Sequence, residues 1–288
     1  MDPDADLDAL LDDHYALMFG AGAAEIKAFF EMCEEKWINR ITGTTVDTDL
    51  GPDPRAPSRP EIWKNIWNAD AIACAESLFA AAAAKTAADP LASARVALMK
   101  REILDPLVRA HTANLDALSV EKAKARRAAR KIVNLFEDGA LSDGAKGWSL
   151  DRGVSLDMSE FVSAPAALKF TKMDPKGTSA ARQKRAAGFY KPNTRYRISF
   201  FVKLDGVKRL VDCGRSCWFT SYDGRRWYCH PGGNEFLQGT ADWFYCEREF
   251  KTDDFPAGMD AKQYIGFELD DQVVGTAWID DIVLEELP

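Results

Sequence analysis

Arg195-Tyr196-Arg197-Ile198-Ser199-Phe200-Phe201-Val202-Lys203 is the stretch on which the fold turns. Tyr196, Ile198, Phe200 and Val202 alternate with Arg195, Arg197, Ser199 and Lys203. Successive side chains of a strand point to opposite faces, so this segment has one buried face and one wet one. A helix would place its apolar residues three and four apart instead. Outward from this strand the same grammar repeats. Short β-branched and aromatic runs at 166–171, 217–221, 226–230, 243–250, 264–269 and 277–284 are separated by glycines and turn residues. That pattern predicts an antiparallel sandwich. Asp223-Gly224 is the signal of a two-residue hairpin between two of these strands.

Before Asn134 the period changes. Asp6 is a fair N-cap for a helix carrying Leu7, Leu10, Leu11, Tyr15 and Met18, which Phe19-Gly20-Ala21-Gly22 interrupts. Ile26, Phe29, Phe30, Cys33 and Trp37 mark the face of a second helix. The glycines and prolines of 43–60 predict a long loop. Helix resumes at Glu61, and another begins at Asp89-Pro90, where Asp caps and Pro fits the first turn. Pro106 should kink or break that helix. A basic helix over 120–133 leads out of this half. The expectation is two domains: an all-helical domain over 1–133 and a β-sandwich over 134–288.

Of 288 residues 47% are hydrophobic and 28% charged, the balance of a soluble globular chain. No apolar run reaches the roughly 18 residues of a membrane span. A net charge of -8 argues against a nucleic-acid partner. The basic run at 122–131 reads as a solvated helix face. The start, Met-Asp-Pro-Asp-Ala-Asp, is not a secretory signal. No Cys-x-x-Cys pair occurs among the six cysteines, which weakens a zinc reading. Cys33 and Cys74 read as buried thiols. For Cys213, Cys217, Cys229 and Cys246 both a disulfide and free thiols stay open.

Several further segments of the second half occur in a telling order. Asn134-Leu135-Phe136-Glu137-Asp138-Gly139 and Gly147-Trp148 open it, and Ala167-Leu168-Lys169-Phe170 follows. The central strand comes next, then Gly239-Thr240-Ala241-Asp242-Trp243, and finally Gly275-Thr276-Ala277-Trp278-Ile279-Asp280-Asp281-Ile282. In this order they resemble the jelly-roll carbohydrate-binding modules appended to xylanases and other glycan hydrolases. The resemblance implies a jelly-roll fold, a polysaccharide or oligosaccharide partner, and framework roles for Trp148, Trp243 and Trp278. It also implies a structural calcium joining the opening and closing strands, with Glu137 and Asp280 as its carboxylates. In the first half, His14-Tyr15-Ala16-Leu17-Met18-Phe19-Gly20-Ala21-Gly22-Ala23, then Phe29-Phe30 and Trp37, are similar to the helical region that follows the barrel in bacterial glycosidase-like proteins. That likeness implies a catalytic barrel domain elsewhere in the same parent protein. It also implies an extracellular, periplasmic or cell-surface location for that parent.

Chemistry of its own is harder to find. Glu34-Glu35, Asp12-Asp13 and Asp280-Asp281 are adjacent carboxylates, which diverge on a helix or strand instead of flanking a cleft. No catalytic residue is assigned. Saccharide binding has better support, because flat aromatic rings accept the apolar face of a pyranose while polar neighbours bond its hydroxyls. If Asp223-Gly224 is a two-residue turn, Thr220 faces Trp227, Trp218 faces Cys229 and Tyr222 faces Arg225. Trp218, Tyr222, Arg225 and Trp227 then share one face, and Phe219, Tyr228 and Arg226 share the other. The first face is either a sugar platform or the sandwich core, and the sequence leaves both open. Three functions follow: a non-catalytic saccharide-binding accessory region, a helical domain that completes a barrel's active site through the 43–60 loop, or a ligand-free spacer.

Overall fold

The computed structural model describes residues 6–42, 45–48, 51–54, 57–210, 219–222, 227–230, 237–254 and 263–288. Contacts divide the chain into two compact units: Met1–Thr45, Pro54–Ala56 and Ile62–Leu115 in one, Val46–Asp53, Pro57–Glu61 and Asp116–Pro288 in the other. The main division after Leu115 lies earlier than the expected boundary near 133. Among the described residues no helix is long and apolar enough to cross a membrane.

The first unit is helical. Leu7–Phe19 (α1) starts where the Asp6 carboxylate accepts from the amides of Asp8 and Ala9, at 3.0 and 3.2 Å. It ends at Gly20, whose φ of 52° is left-handed and suits glycine. Ala23–Lys36 (α2) follows. Gly22, just before it, is set by space, since a Cβ there would lie 2.9 Å from Thr86 Cγ2 and 3.1 Å from the Ala82 carbonyl. That close approach holds the turn against Ala69–Thr86 (α3). Pro90–Met99 (α4) carries the expected Asp89 cap and first-turn proline. The chain then widens through a π-type stretch, Lys100–Leu104, before Asp105–Leu118 (α5). Pro106 accounts for the break, having no N–H to donate back along the helix. Phe19, Ile26, Phe29, Ala75, Phe79, Val96 and Leu104 form the core, with Phe29 and Phe79 edge to face at 5.0 Å. Cys33 is half-buried, and Cys74 is exposed where a buried thiol was expected. Ile72, Ala75, Phe79 and Ala82 make the buried stripe of α3, and position 74 lies off it. The expected 43–60 loop contains a two-stranded ladder of Thr45–Thr48 (β1) and Gly51–Pro54 (β2), the first rich in β-branched residues; most of it, Val46–Asp53, belongs to the second unit.

The second unit is a sandwich of two five-stranded antiparallel sheets. Its strands are Trp148–Leu150 (β3), Val154–Asp157 (β4), Ala167–Lys172 (β5), Ser179–Arg185 (β6), Arg195–Arg209 (β7), Phe219–Tyr222 (β8), Trp227–His230 (β9), Gly239–Lys251 (β10), Gln263–Leu269 (β11) and Val273–Glu286 (β12). One sheet has the order β10-β7-β12-β5-β4, the other β3-β6-β11-β8-β9. From β5 onward most successive strands change sheet, which is jelly-roll connectivity. Tyr196, Ile198, Phe200 and Val202 of β7 are at most 1% exposed, as the alternation requires. Rings from both sheets close the core: Phe267 of β11 meets Phe200 at 4.8 Å and Phe219 at 5.8 Å. Strands β3, β4 and β6 fall outside the expected strand segments. Ser-Ala-Ala-Arg-Gln-Lys-Arg has little strand propensity, and β6 owes its conformation to ladders with β3 and β11.

Candidate binding face

A sandwich has two outer faces, and here they differ. On the β10-β7-β12 sheet, Val120–Ala128 (α6) lies across the outside, capped by Ser119. Ala123 packs with Phe201 and Tyr245, so Phe201 is buried although β7 alternation turns it outward. Arg127 enters this contact. Its guanidinium lies 5.0 Å from the Phe201 ring and 5.3 Å from that of Tyr245. It donates to the Asp281 carbonyl at 2.8 Å and to Ser199 Oγ at 2.8 Å, and it pairs with the Asp281 carboxylate at 3.0 Å. Asp281 can meet it because β12 bulges between Asp280 and Val283 and Asp281 takes a φ of 47°. Arg130 reaches Glu247 and Glu285. Arg127 and Arg130 of the basic run are therefore docked on the sheet, while Lys122, Arg126 and Lys131 stay exposed, as expected of a solvated helix face.

The rest of that face is also satisfied. Trp278 is 8% exposed, with Lys169 and Lys203 over its ring at 5.1 and 5.6 Å. Its indole N–H donates to Asp157 at 2.9 Å. The Ser159 hydroxyl, that indole, the Ser159 amide and Lys169 together hold the Asp157 carboxyl well below the usual carboxylate range.

The β3-β6-β11-β8-β9 sheet offers the other outer face. Phe219, Ile265 and Phe267 point into the core, so alternation sends Tyr222, Tyr264 and Glu268 outward. The ladders align one row across four strands: Lys184 opposite Tyr264, Tyr264 opposite Tyr222, and Tyr222 opposite Trp227. The next row runs Ser149, Arg182, Gly266, Thr220 and Cys229. Gly266 and Thr220 in this row are buried, and position 266 must be glycine, because a Cβ would sit 2.2 Å from the Ala181 carbonyl oxygen and 2.8 Å from Arg182 Cα. Beside it Arg182 donates to Glu268 at 2.7 Å and to Asp151 at 3.5 Å. Its Nε has no hydrogen-bond partner among the described residues. Burial pushes the Glu268 carboxyl up, and Arg182 only partly offsets it. Tyr222 and Tyr264 are half-buried and Lys184 is exposed. A strip of aromatic side chains beside a half-buried acid and base can stack a ring and bond its hydroxyls.

Of the four residues expected as a platform, Tyr222 is placed outward, on the side away from Phe219 and the core. Trp218 and Arg225 lie outside the described residues, and for Trp227 only the backbone is described. The register corrects one expectation. Tyr222 pairs with Trp227 and Thr220 with Cys229, so the register is shifted by two from the expected pairing of Tyr222 with Arg225. A slip of two preserves parity, which is why alternation alone could not detect it. Tyr264, Glu268, Arg182 and Lys184 were not anticipated. The spacing Tyr264-x-Gly266-x-Glu268 carried the signal for the first two, whereas β6 offered none.

Glu137 and Asp280 do not fit a shared calcium. Asp280 is fully buried, and its oxygens accept from the amides of Val162, Ser163 and Asp281, each at 2.6 Å. Glu137 pairs with Arg185 at 3.1 Å. Among the described residues no group of three His, Cys, Asp or Glu side chains could hold a metal ion.

No protein-family model matches the sequence, and neither does any curated protein. Among solved structures, the chain is similar to the enzymatically active domain of bacteriophage CBA120 tailspike protein 4, with 11% identity, a TM-score of 0.36, and coverage of 54% of this chain and 22% of that one. It is similar to a family 16 carbohydrate-binding module at 20% identity and TM-score 0.34, covering 52% and 99% of the two chains. It is also similar to tandem family 22 carbohydrate-binding modules from Paenibacillus barcinonensis at 12% identity and TM-score 0.38, covering 56% and 46%. The chain thus spans nearly all of a single module but about a fifth of the tailspike domain. Likeness at this level carries no ligand assignment, which rests on the geometry of the face.

Proposed function

We propose that the sandwich is a non-catalytic saccharide-binding module, and that a polysaccharide or oligosaccharide lies along the outer face of the β3-β6-β11-β8-β9 sheet. The observation that carries this is the row Lys184, Tyr264, Tyr222 and position 227 on neighbouring strands. Adjacent strands are about 4.8 Å apart, so consecutive sugar rings could rest on consecutive strands. Arg182 and Glu268, already oriented by each other, would donate to and accept from hydroxyls. Trp227 belongs to the platform by register, and Trp218 and Arg225 are its further candidates. In this reading the helical unit serves a catalytic barrel of a longer, exported parent.

The test is an affinity-gel screen of the full chain against plant, algal and host polysaccharides, followed by titration of the best ligand. Tyr264→Ala and Tyr222→Ala should each weaken binding roughly tenfold, about 1.4 kcal/mol, with the melting temperature lowered by no more than about 4 °C. Well-folded protein that binds none of the panel, or variants that bind as tightly as the parent chain, would overturn the reading and favour a ligand-free spacer.

A further inference from the structure

The helical unit has a concavity of its own, about 450 Å³ in volume, lined by Phe30, Cys33, Glu34, Lys36, Trp37 and Trp67. That is within the ordinary range of small-ligand clefts, about 300–1,000 Å³. Its composition is unusual for a helix surface. Trp37 directly follows α2 and is 58% exposed, a wasteful position for an indole whose burial would stabilise the fold. Trp67 and Phe30 complete an aromatic wall. Two charged side chains share the site, and neither Glu34 nor Lys36 forms an ion pair among the described residues. The Lys36 ammonium rests instead over the Trp67 ring, 5.4 Å from its centre. Apolar ring faces, one carboxylate acceptor and one ammonium donor thus converge on an open depression.

We infer that this cleft is a second ligand site, one that takes a single neutral pyranose unit. The ring's C–H face stacks on Trp37 or Trp67, while Glu34 accepts from one hydroxyl and Lys36 donates to another. A quaternary ammonium would also suit aromatic walls, but it would have to displace Lys36 or sit beside its like charge. A flat apolar ligand would leave both charges unused. The site belongs to the helical unit alone and stands whether or not the sandwich binds saccharide.

Methyl β-glucopyranoside is the probe, titrated into the full chain bearing Tyr222→Ala and Tyr264→Ala, so that the sandwich face is silenced. The indole N–H resonances of Trp37 and Trp67 are followed by NMR. The inference expects saturable shifts of both at millimolar sugar, and at least tenfold weaker binding when Trp37→Ala or Glu34→Ala is added. Glu34 is exposed, so its variant separates lost binding from lost fold. Absence of a saturable shift, shifts that persist in both variants, or a response to tetramethylammonium but not to the sugar would overturn it.

Discussion

The two outer faces of the sandwich are built from the same strand grammar, yet α6 closes one, and among the described residues of this unit no helix covers the other, the open face. On the closed face each outward charge is answered: Arg127 by Asp281 and Ser199, Arg130 by Glu247 and Glu285, Lys169 by Asp157. On the open face the answers are incomplete. Glu268 has one cation for a largely buried carboxyl, which burial pushes up, whereas the donors around Asp157 hold that carboxyl low. The unpartnered Nε of Arg182 is no part of the contrast, since Arg127 and Arg130 on the closed face share it among the described residues. The lesson is that outward orientation does not by itself make a surface. Phe201 and Tyr222 both point out of the core, but α6 turns the first into interior.

The sharpest way to break the comparison is to uncover the closed face. Arg127→Ala removes a buried cation and strands the Asp281 carboxylate and the Ser199 hydroxyl. Breaking a buried pair from one side costs about 3–5 kcal/mol, which urea denaturation would read directly. Arg127→Met keeps an apolar stem against Phe201 and Tyr245 and should recover part of the loss. A cost below about 1 kcal/mol for the alanine variant would mean that α6 does not seal this face. Phe219→Ala should be similarly damaging, about 3–5 kcal/mol, because it empties a core position between Phe250 and Phe267. Three residues on and facing the other way, Tyr222→Ala should cost far less, about 1 kcal/mol. Equal costs at the two positions would erase the distinction between core and platform.

How much of this contrast could be read from the sequence depended on whether a residue's partner lay nearby. The inner face of β7 was legible in Tyr196, Ile198, Phe200 and Val202 because strand alternation is local. The burial of Phe201 and Ser199 was not, because it comes from α6, whose closest residue lies more than seventy positions away in the chain. The helix caps at Asp6 and Asp89 were legible for the same local reason. Strand β6 was invisible, since only its ladders make it a strand, and with it went Arg182 and Lys184. On the open face Tyr222 could be found from the hairpin signal even with the register wrong, because a two-residue slip conserves facing.

Two carboxyls extend the comparison to pH, with opposite signs. Asp157, on the closed face, is held low by its donors. It stabilises the fold at every pH above its unfolded value, about 3.9, and that contribution is lost as pH falls below it. Asp157→Asn should therefore cost about 1–3 kcal/mol near neutrality, and the gap to the parent chain should narrow as pH drops below about 4. A gap that stays constant down to low pH would show that hydrogen bonding, and not charge, is what Asp157 contributes.

Glu268, on the open face, has its carboxyl pushed up by burial, so the folded state favours the protonated form. Its contribution is fully present below the unfolded value, about 4.3, and drains away as pH rises through the folded one. Glu268→Gln should flatten that fall in mildly acidic solution and leave stability near neutrality within about 1 kcal/mol of the parent chain. The same substitution removes a carboxylate that Arg182 only partly neutralises, so it should weaken saccharide binding more at neutral than at acidic pH. A stability profile that steepens in the variant would mean that Glu268 is as well satisfied as Asp157, and that the open face has no unmet demand for a ligand.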